Sequence, residues 1–341
     1  MTGRTRSAQR RCLLIAPLSF YSFHRTVAAG LERRGYVVDT LNEEFPANTL
    51  GKVLGKLALP VLRTLTLRGL RLRLDGQPHY DLVLIIKGRG LGPKALAYLR
   101  TKAHRVVGYN FDSFRFNPSP LDWFQLADRY ATFDIRDAKA FGLPLVHLFS
   151  AADVPLATDR SYALSIIQRV HSDRLAFADL LLKSLPATVR SFVFLYESSP
   201  LTFALGLLRH PRLYARLWPH ISLTPLSYTR AMEVLGQSRV TFDYAHPQQS
   251  GVTVRCFEAQ SLGVAVLTNN REAVDCGLFA PEAIAHLPRH SDAATVATLV
   301  SNLLQRSPEP RCRSLDDFID DLLSDAQLQA SSSINIAGEI T

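Results

Sequence analysis

Short apolar runs alternating with stretches of helical spacing set the plan of this chain. Arg11–Leu18 (RCLLIAPL) is a compact apolar run ending in proline, the pattern of a strand buried on both faces of a parallel sheet. His24–Arg34 carries apolar residues at helical spacing, Gly35 stands where a helix C-cap belongs, and Tyr36–Leu41 predicts the next strand. Strand, helix, glycine and strand in that order open a βαβ unit. Asp81–Ile86 predicts another buried strand and Gly92–Thr101 a helix, with short strands at Arg105–Tyr109, Asp128–Phe133 and Leu145–Leu148. Such alternation implies a mostly parallel sheet with helices on both faces.

Ala152–Arg160 contains Pro155 and several polar residues and reads as a domain junction, after which the pattern restarts. Strands are expected at Tyr162–Ile167, Ser191–Leu195, Arg239–Tyr244 and Val264–Thr268, and helices at Tyr228–Leu235 and Thr253–Leu262. Ser314–Leu323 (SLDDFIDDLL) predicts an amphipathic, acidic helix. Residues 330–341 are small and polar without periodicity and read as a disordered tail. The expected division is 1–155, 156–329 and this tail, in keeping with a length of 341 residues.

Composition narrows the classes. Hydrophobic residues at 47% and charged residues at 20% supply a normal core, which argues against disorder over the bulk of the chain. A net charge of +9 points to an anionic partner: nucleic acid, an acidic membrane surface or a phosphorylated small molecule. The sequence has no recognisable basic recognition helix, aromatic RNA-binding strand or zinc module, which argues against nucleic acid. Cys12, Cys256, Cys276 and Cys312 are scattered without metal-ligand spacing, so neither a zinc site nor a disulfide framework is expected, and a reducing cytoplasm fits best. The apolar run after the basic first residues is too short for a secretory signal, and no stretch offers the roughly 20 apolar residues of a spanning helix.

Candidate chemistry concentrates in His246–Asn270, HPQQSGVTVRCFEAQSLGVAVLTNN. A strand, a glycine turn, a helix starting near Thr253, then Gly263 and a strand would place unpaired N–H groups at a sheet edge, a phosphate site in waiting. Arg255 in the first turn adds a bidentate cation, and Glu258 one turn on can accept from ribose hydroxyls. Gly251, Glu258, Ala259, Gly263, Thr268 and Asn269 follow in the order of the donor-binding motif of GT-B glycosyltransferases, and the segment resembles the bacterial polysaccharide-type and CgeB-like (spore protein) members. In retaining families a second glutamate lies eight positions before the first; here Ser250 stands there.

This resemblance implies an α/β, GT-B-like fold: two Rossmann-like domains with mostly parallel sheets facing a central cleft. It implies a glycosyltransferase that moves a sugar from a nucleotide-diphosphate donor to a saccharide or lipid-linked acceptor in surface polysaccharide synthesis, with no cofactor or metal. Its donor site would take Tyr228 at the nucleobase, His246 at phosphate or sugar, and Gly251, Thr253, Arg255 and Glu258. Arg174, in the HSDR loop, would reach a phosphate, although Gln168 and Arg169 replace the small turn residues of relatives. YNFDSFRFN (Tyr109–Asn117) and FDIRD (Phe133–Asp137) resemble aspartate-bearing loops of the CgeB-like group, making Asp112 and Asp134 the candidate general bases. An Asp in such a loop can equally be a helix cap or an Asx-turn.

Lys87–Gly92 (KGRGLG) lacks the spacing of a phosphate-binding P-loop, and the resemblance gives Gly88 and Gly90 the milder role of shaping the cleft floor. Residues 50–74 are rich in Leu, Lys and Arg, nearly free of acid and divided by Pro60, which suits peripheral contact with anionic lipid at the inner membrane face. The competing reading is a catalytically silent GT-B-like protein that binds a nucleotide sugar or glycan.

Overall fold

The computed structural model describes residues 9–18, 23–186 and 188–324. The tail expected over 330–341 lies outside them. The described residues form two compact units, one from the ranges 9–146 and 315–324 and the other from 147–314.

The first unit runs β1 (Arg10–Ala16), α1 (Phe23–Arg33), β2 (Tyr36–Asn42), α2 (Thr49–Leu57), α3 (Leu59–Leu74), β3 (Tyr80–Ile86), α4 (Pro93–Arg100), β4 (Ala103–Asn110), β5 (Arg129–Thr132) and α5 (Ile135–Phe141). Its five strands are all parallel in the order β2-β1-β3-β4-β5. The central strands are the most apolar: Cys12–Ala16 and Leu82–Ile86 are almost wholly buried, because helices cover both faces of a parallel sheet. The edge strand β2 is only half-buried and carries Asp39, which pairs with Arg11 at 2.7 Å and accepts from the Tyr80 hydroxyl at 2.8 Å.

The second unit runs β6 (Tyr162–Arg169), α6 (Arg174–Ser184), β7 (Ser191–Tyr196), α7 (Pro200–Arg209), α8 (Pro211–Leu217), β8 (Ile221–Ser222), α9 (Tyr228–Gly236), β9 (Ser238–Asp243), α10 (Val254–Ser261), β10 (Ala265–Thr268), α11 (Arg271–Asp275), β11 (Ile284–His286) and α12 (Ala293–Leu304). Its six strands are parallel in the order β11-β10-β9-β6-β7-β8. Leu164, Ile166, Val240, Phe242 and Leu267 from the strands pack with Phe177, Leu181, Val296 and Val300 from helices in one core.

The last helix, α13 (Leu315–Leu323), belongs to the first unit, not to the second as its place in the sequence suggested. Phe318, Ile319 and Leu322 are fully buried, with Phe318 edge-on to Tyr109 at 5.1 Å. Gly30 makes the close helix contact possible, since a Cβ there would lie 2.4 Å from Ile319 Cδ1. The acidic face is held by Arg34, which reaches Asp316 at 2.5 Å and Asp320 at 2.6 Å. The boundary expected after 155 accordingly falls after 146.

Other local readings also shift. Leu145–Leu148 is not a strand: only an isolated bridge joins Leu145 to Thr132. Pro60 does not divide the 50–74 segment but lies in the first turn of α3, where its missing N–H is harmless; the break is at Ala58. The short strands β8 and β11 had no sequence signal of their own, being two and three residues long.

Candidate functional site

The sheet of the second unit grows in two directions from its middle, with β7 and β8 beside β6 on one side and β9, β10 and β11 on the other. Chains leaving neighbouring strands toward opposite sides open a crevice at the strands' carboxyl ends, where ligands of open α/β sheets bind. Two loops meet there, 170–173 after β6 and 244–253 after β9.

The second loop is braced by buried polar side chains. Asp243, at the end of β9, accepts from the hydroxyls of Thr253 at 2.5 Å and Thr268 at 2.8 Å. Asn269 grips the backbone of Ala245 at both groups, accepting its N–H at 2.7 Å and donating to its carbonyl at 3.1 Å. Asn270 donates to the carbonyls of Ser250 and Gly251 at 3.2 and 3.0 Å. Thr268 and Asn269, which the motif supplied, and Gly251 therefore shape the loop. Thr253 is the N-cap of α10, but with its hydroxyl turned to Asp243 it makes no side-chain cap bond. The first turn of α10 thus keeps its N–H groups without a side-chain acceptor.

Three predicted residues come together beside that turn. Glu258 is buried in α10, and Arg255 Nη1 lies 3.1 Å from its Oε2, within ion-pair reach but outside hydrogen-bond geometry. The Tyr228 phenol, at the start of α9, lies close to the same carboxylate. Burial pushes the Glu258 carboxyl up, against the pull of Arg255 and Tyr228. Burial, followed by the Glu258 charge, pushes the Tyr228 phenol far above its usual range, so it keeps its proton.

His246 and Arg174 fall in a second cluster. The Arg174 guanidinium lies 4.6 Å from the centre of the Tyr244 ring, and His246 Nδ1 accepts the Gln248 N–H at 3.3 Å. The Tyr244 hydroxyl and Arg289 both bond to Asp173, and Arg289 also donates to the Ala245 carbonyl at 3.3 Å. His171 stands edge-on to Tyr244. Burial, reinforced by Arg174, His246 and Arg169, lowers His171 to about 4, so its ring is neutral near pH 7. Sequence reading missed Arg289 and Tyr244. Arg289 lies 116 residues from the aspartate it meets, and no local pattern marks it.

In the first unit, Asp112 follows β4 and pairs with Lys87 Nζ at 2.7 Å. Asp134 follows β5 and caps α5, its Oδ1 accepting the N–H groups of Arg136 and Asp137 at 3.1 Å each. Asp137 accepts the Phe114 N–H at 2.6 Å and is pushed up to about 6, by burial before the Asp134 charge. The glycine-rich loop has its anion within the chain: Glu43 accepts the Arg89 N–H at 2.8 Å, and Glu44 takes the Arg89 guanidinium at 2.9 and 2.5 Å. Gly88, with φ +68, packs under Trp123, and Gly90 lies against the backbone of Glu43 and Glu44. Burial lifts Glu43 to about 7, although Lys87 and the Arg89 N–H oppose the shift. Glu43 was not singled out in the sequence, where it reads as an ordinary charge after a strand. Among the described residues, no group of three or more His, Cys, Asp or Glu is placed to hold a metal ion.

Comparison with solved structures yields several proteins of similar fold. The apo form of WaaB, a lipopolysaccharide outer core galactosyltransferase, aligns with TM-score 0.54 and 10% identity over 92% of this chain and 94% of its own. HepE from Anabaena, solved with UDP-glucose, aligns with TM-score 0.53 and 10% identity over 86% and 90%. The UDP-GlcNAc 2-epimerase of Methanocaldococcus jannaschii aligns with TM-score 0.52 and 12% identity over 92% and 99%. The fold is GT-B. No family model matches the sequence, and no curated protein matches it. At 10–12% identity these likenesses establish the two-unit Rossmann-like architecture and leave the reaction to the residues.

Proposed function

We propose that this chain is a glycosyltransferase that moves a sugar from a nucleotide-diphosphate donor to a hydroxyl of a saccharide or lipid-linked acceptor. One observation carries the reading: beside the uncapped first turn of α10, the buried Glu258 Oε2 and Arg255 Nη1 face each other without a hydrogen bond. Buried polar atoms in that state await partners, and the two hydroxyls of a ribose are of the right kind. Glu258 would hold the ribose, and Tyr228 would flank the base. The diphosphate would meet the N–H groups near Gly251 and Thr253, with Arg174, His246 and Arg289 supplying positive charge and donors. This arrangement balances the charge of the leaving diphosphate without a metal. In the first unit, Asp112 is the candidate base for the acceptor hydroxyl, with Lys87 holding its carboxylate. Asp134 retains that candidacy only in second place, because its Oδ1 serves the cap.

Contact with an anionic membrane through 50–74 belongs to the same proposal. α2 and α3 expose Leu50, Val53, Leu57, Val61 and Leu72 together with Lys56, Arg68 and Arg71. No described helix is long and apolar enough to cross a membrane.

A thermal-shift screen of nucleoside diphosphates and nucleotide sugars on wild type and Glu258→Gln tests the donor site. A ligand at 100 times its dissociation constant adds about 2.7 kcal/mol of stability. Stabilisation by one nucleotide class that shrinks in Glu258→Gln is the expected result; no response to any nucleotide in a folded sample overturns it. The second reading, a silent binding protein, is favoured by buried Ser250 at the position of the second glutamate and by Asp112 already paired. Sugar release from the bound donor to an acceptor separates the two.

A further inference from the structure

We propose that α7, with the chain following it to His220, is a docking face for an anionic lipid bilayer on the second unit. The claim is separate from the 50–74 contact and independent of the reaction catalysed.

α7 (PLTFALGLLR) is apolar nearly throughout, yet none of its residues is buried. One side is fastened: Ser199 caps its start, Phe203 stands edge-on to Tyr214 at 5.5 Å, and Gly206 lets the Tyr214 hydroxyl come close. Leu201, Leu205 and Leu208, at helical spacing i, i+4 and i+7, line an outer stripe, with Leu201 69% and Leu208 79% exposed. Trp218 packs edge-on to Phe203 at 5.1 Å and is itself 56% exposed. An exposed leucine stripe of this kind is the apolar face that a helix lying in a bilayer interface needs.

Charge selects the occupant. From Ser198 to His220 there is no Asp or Glu. Arg216 is neutralised by Asp179, which it meets at 2.9 and 2.7 Å. Arg209 and Arg212, at the end of the stripe, are exposed and have no ion-pair partner among the described residues. Burial lowers the pKa of His220, which favours its neutral form. Leucine ridge, rim tryptophan and unpaired arginines are the features of an interfacial helix on anionic lipid.

The two tryptophans make the test direct, because Trp123 is 1% exposed and Trp218 is the accessible one. Full-length protein is mixed with phosphatidylcholine vesicles, with and without phosphatidylglycerol, some carrying brominated acyl chains. Blue-shifted and bromine-quenched Trp218 emission on the anionic vesicles alone is expected, with the signal lost in Trp218→Phe. Arg209→Gln and Arg212→Gln should each weaken vesicle partitioning about fivefold, the equivalent of about 1 kcal/mol per cation. Leu201→Gln with Leu208→Gln should reduce the quenching, while Val53→Gln with Leu57→Gln in α2 should leave Trp218 still quenched on the vesicle-bound fraction. Three results overturn the proposal: no vesicle binding, binding with Trp218 unquenched, or a blue shift on concentrating the protein without lipid, which would assign the face to a second copy.

Discussion

Asn269→Ala tests whether the asparagine of the glycosyltransferase-like motif works by bracing the loop. In the wild type its amide satisfies both backbone groups of buried Ala245. Truncation strips the Ala245 N–H of the acceptor at 2.7 Å, and an orphaned buried donor costs about 1–3 kcal/mol. The Ala245 carbonyl suffers less, because Arg289 Nη2 still donates to it at 3.3 Å; its loss is about 0.5–1 kcal/mol. The sum is about 3 kcal/mol, which for a unit of this size lowers the melting temperature by about 9 °C. Calorimetry of the full chain should show one transition moved by that amount. Asn269→Asp is the informative companion. It keeps the acceptor but sets a carboxylate against a carbonyl oxygen, so its pKa should rise in the folded state. The folded chain then binds the proton more readily than the unfolded chain, and the deficit relative to wild type should grow as pH rises. A change below about 0.5 kcal/mol in Asn269→Ala would refute the bracing argument. Any nucleotide-induced stabilisation should weaken in the same variant, because loop 244–253 carries Gly251 and Thr253.

Two further predictions concern the first unit. Glu43 is raised from 4.5 to about 7 by burial, so its contribution to stability is present below pH 4.5 and is lost as pH climbs to about 7. The change is about 3 kcal/mol. Glu43→Gln cannot ionise and should gain on wild type across that window in pH-dependent denaturant titrations; a constant difference would contradict the shift. Asp134→Ala should lose about 1 kcal/mol with its cap, whereas Asp134→Asn, an equally good N-cap, should unfold like wild type. If sugar transfer is detected and Asp134→Asn abolishes it at unchanged melting temperature, Asp134 rather than Asp112 is the base.

The elements themselves were legible because their signals are local. A buried parallel strand must be continuously apolar, so Cys12–Ala16 and Leu82–Ile86 announce themselves, and Gly35 and Gly263 mark turns with φ of +85 and +63. The motif around Glu258 was equally visible, since a strand, a glycine turn and a helix are consecutive. Tertiary structure alone decided the rest. It returned α13 to the first unit, because the fit of Ile319 against Gly30 and the pairing of Arg34 with Asp316 link residues almost 300 positions apart. It turned Thr268 and Asn269 from motif letters into loop braces, and it brought Arg289 to Asp173 and Tyr244. It also set Glu43 beneath the glycine-rich loop, where burial rather than residue type determines its charge. A sequence displays hydrophobic period and turn chemistry directly. Desolvation and ion pairing depend on which distant side chains converge, and folding settles that.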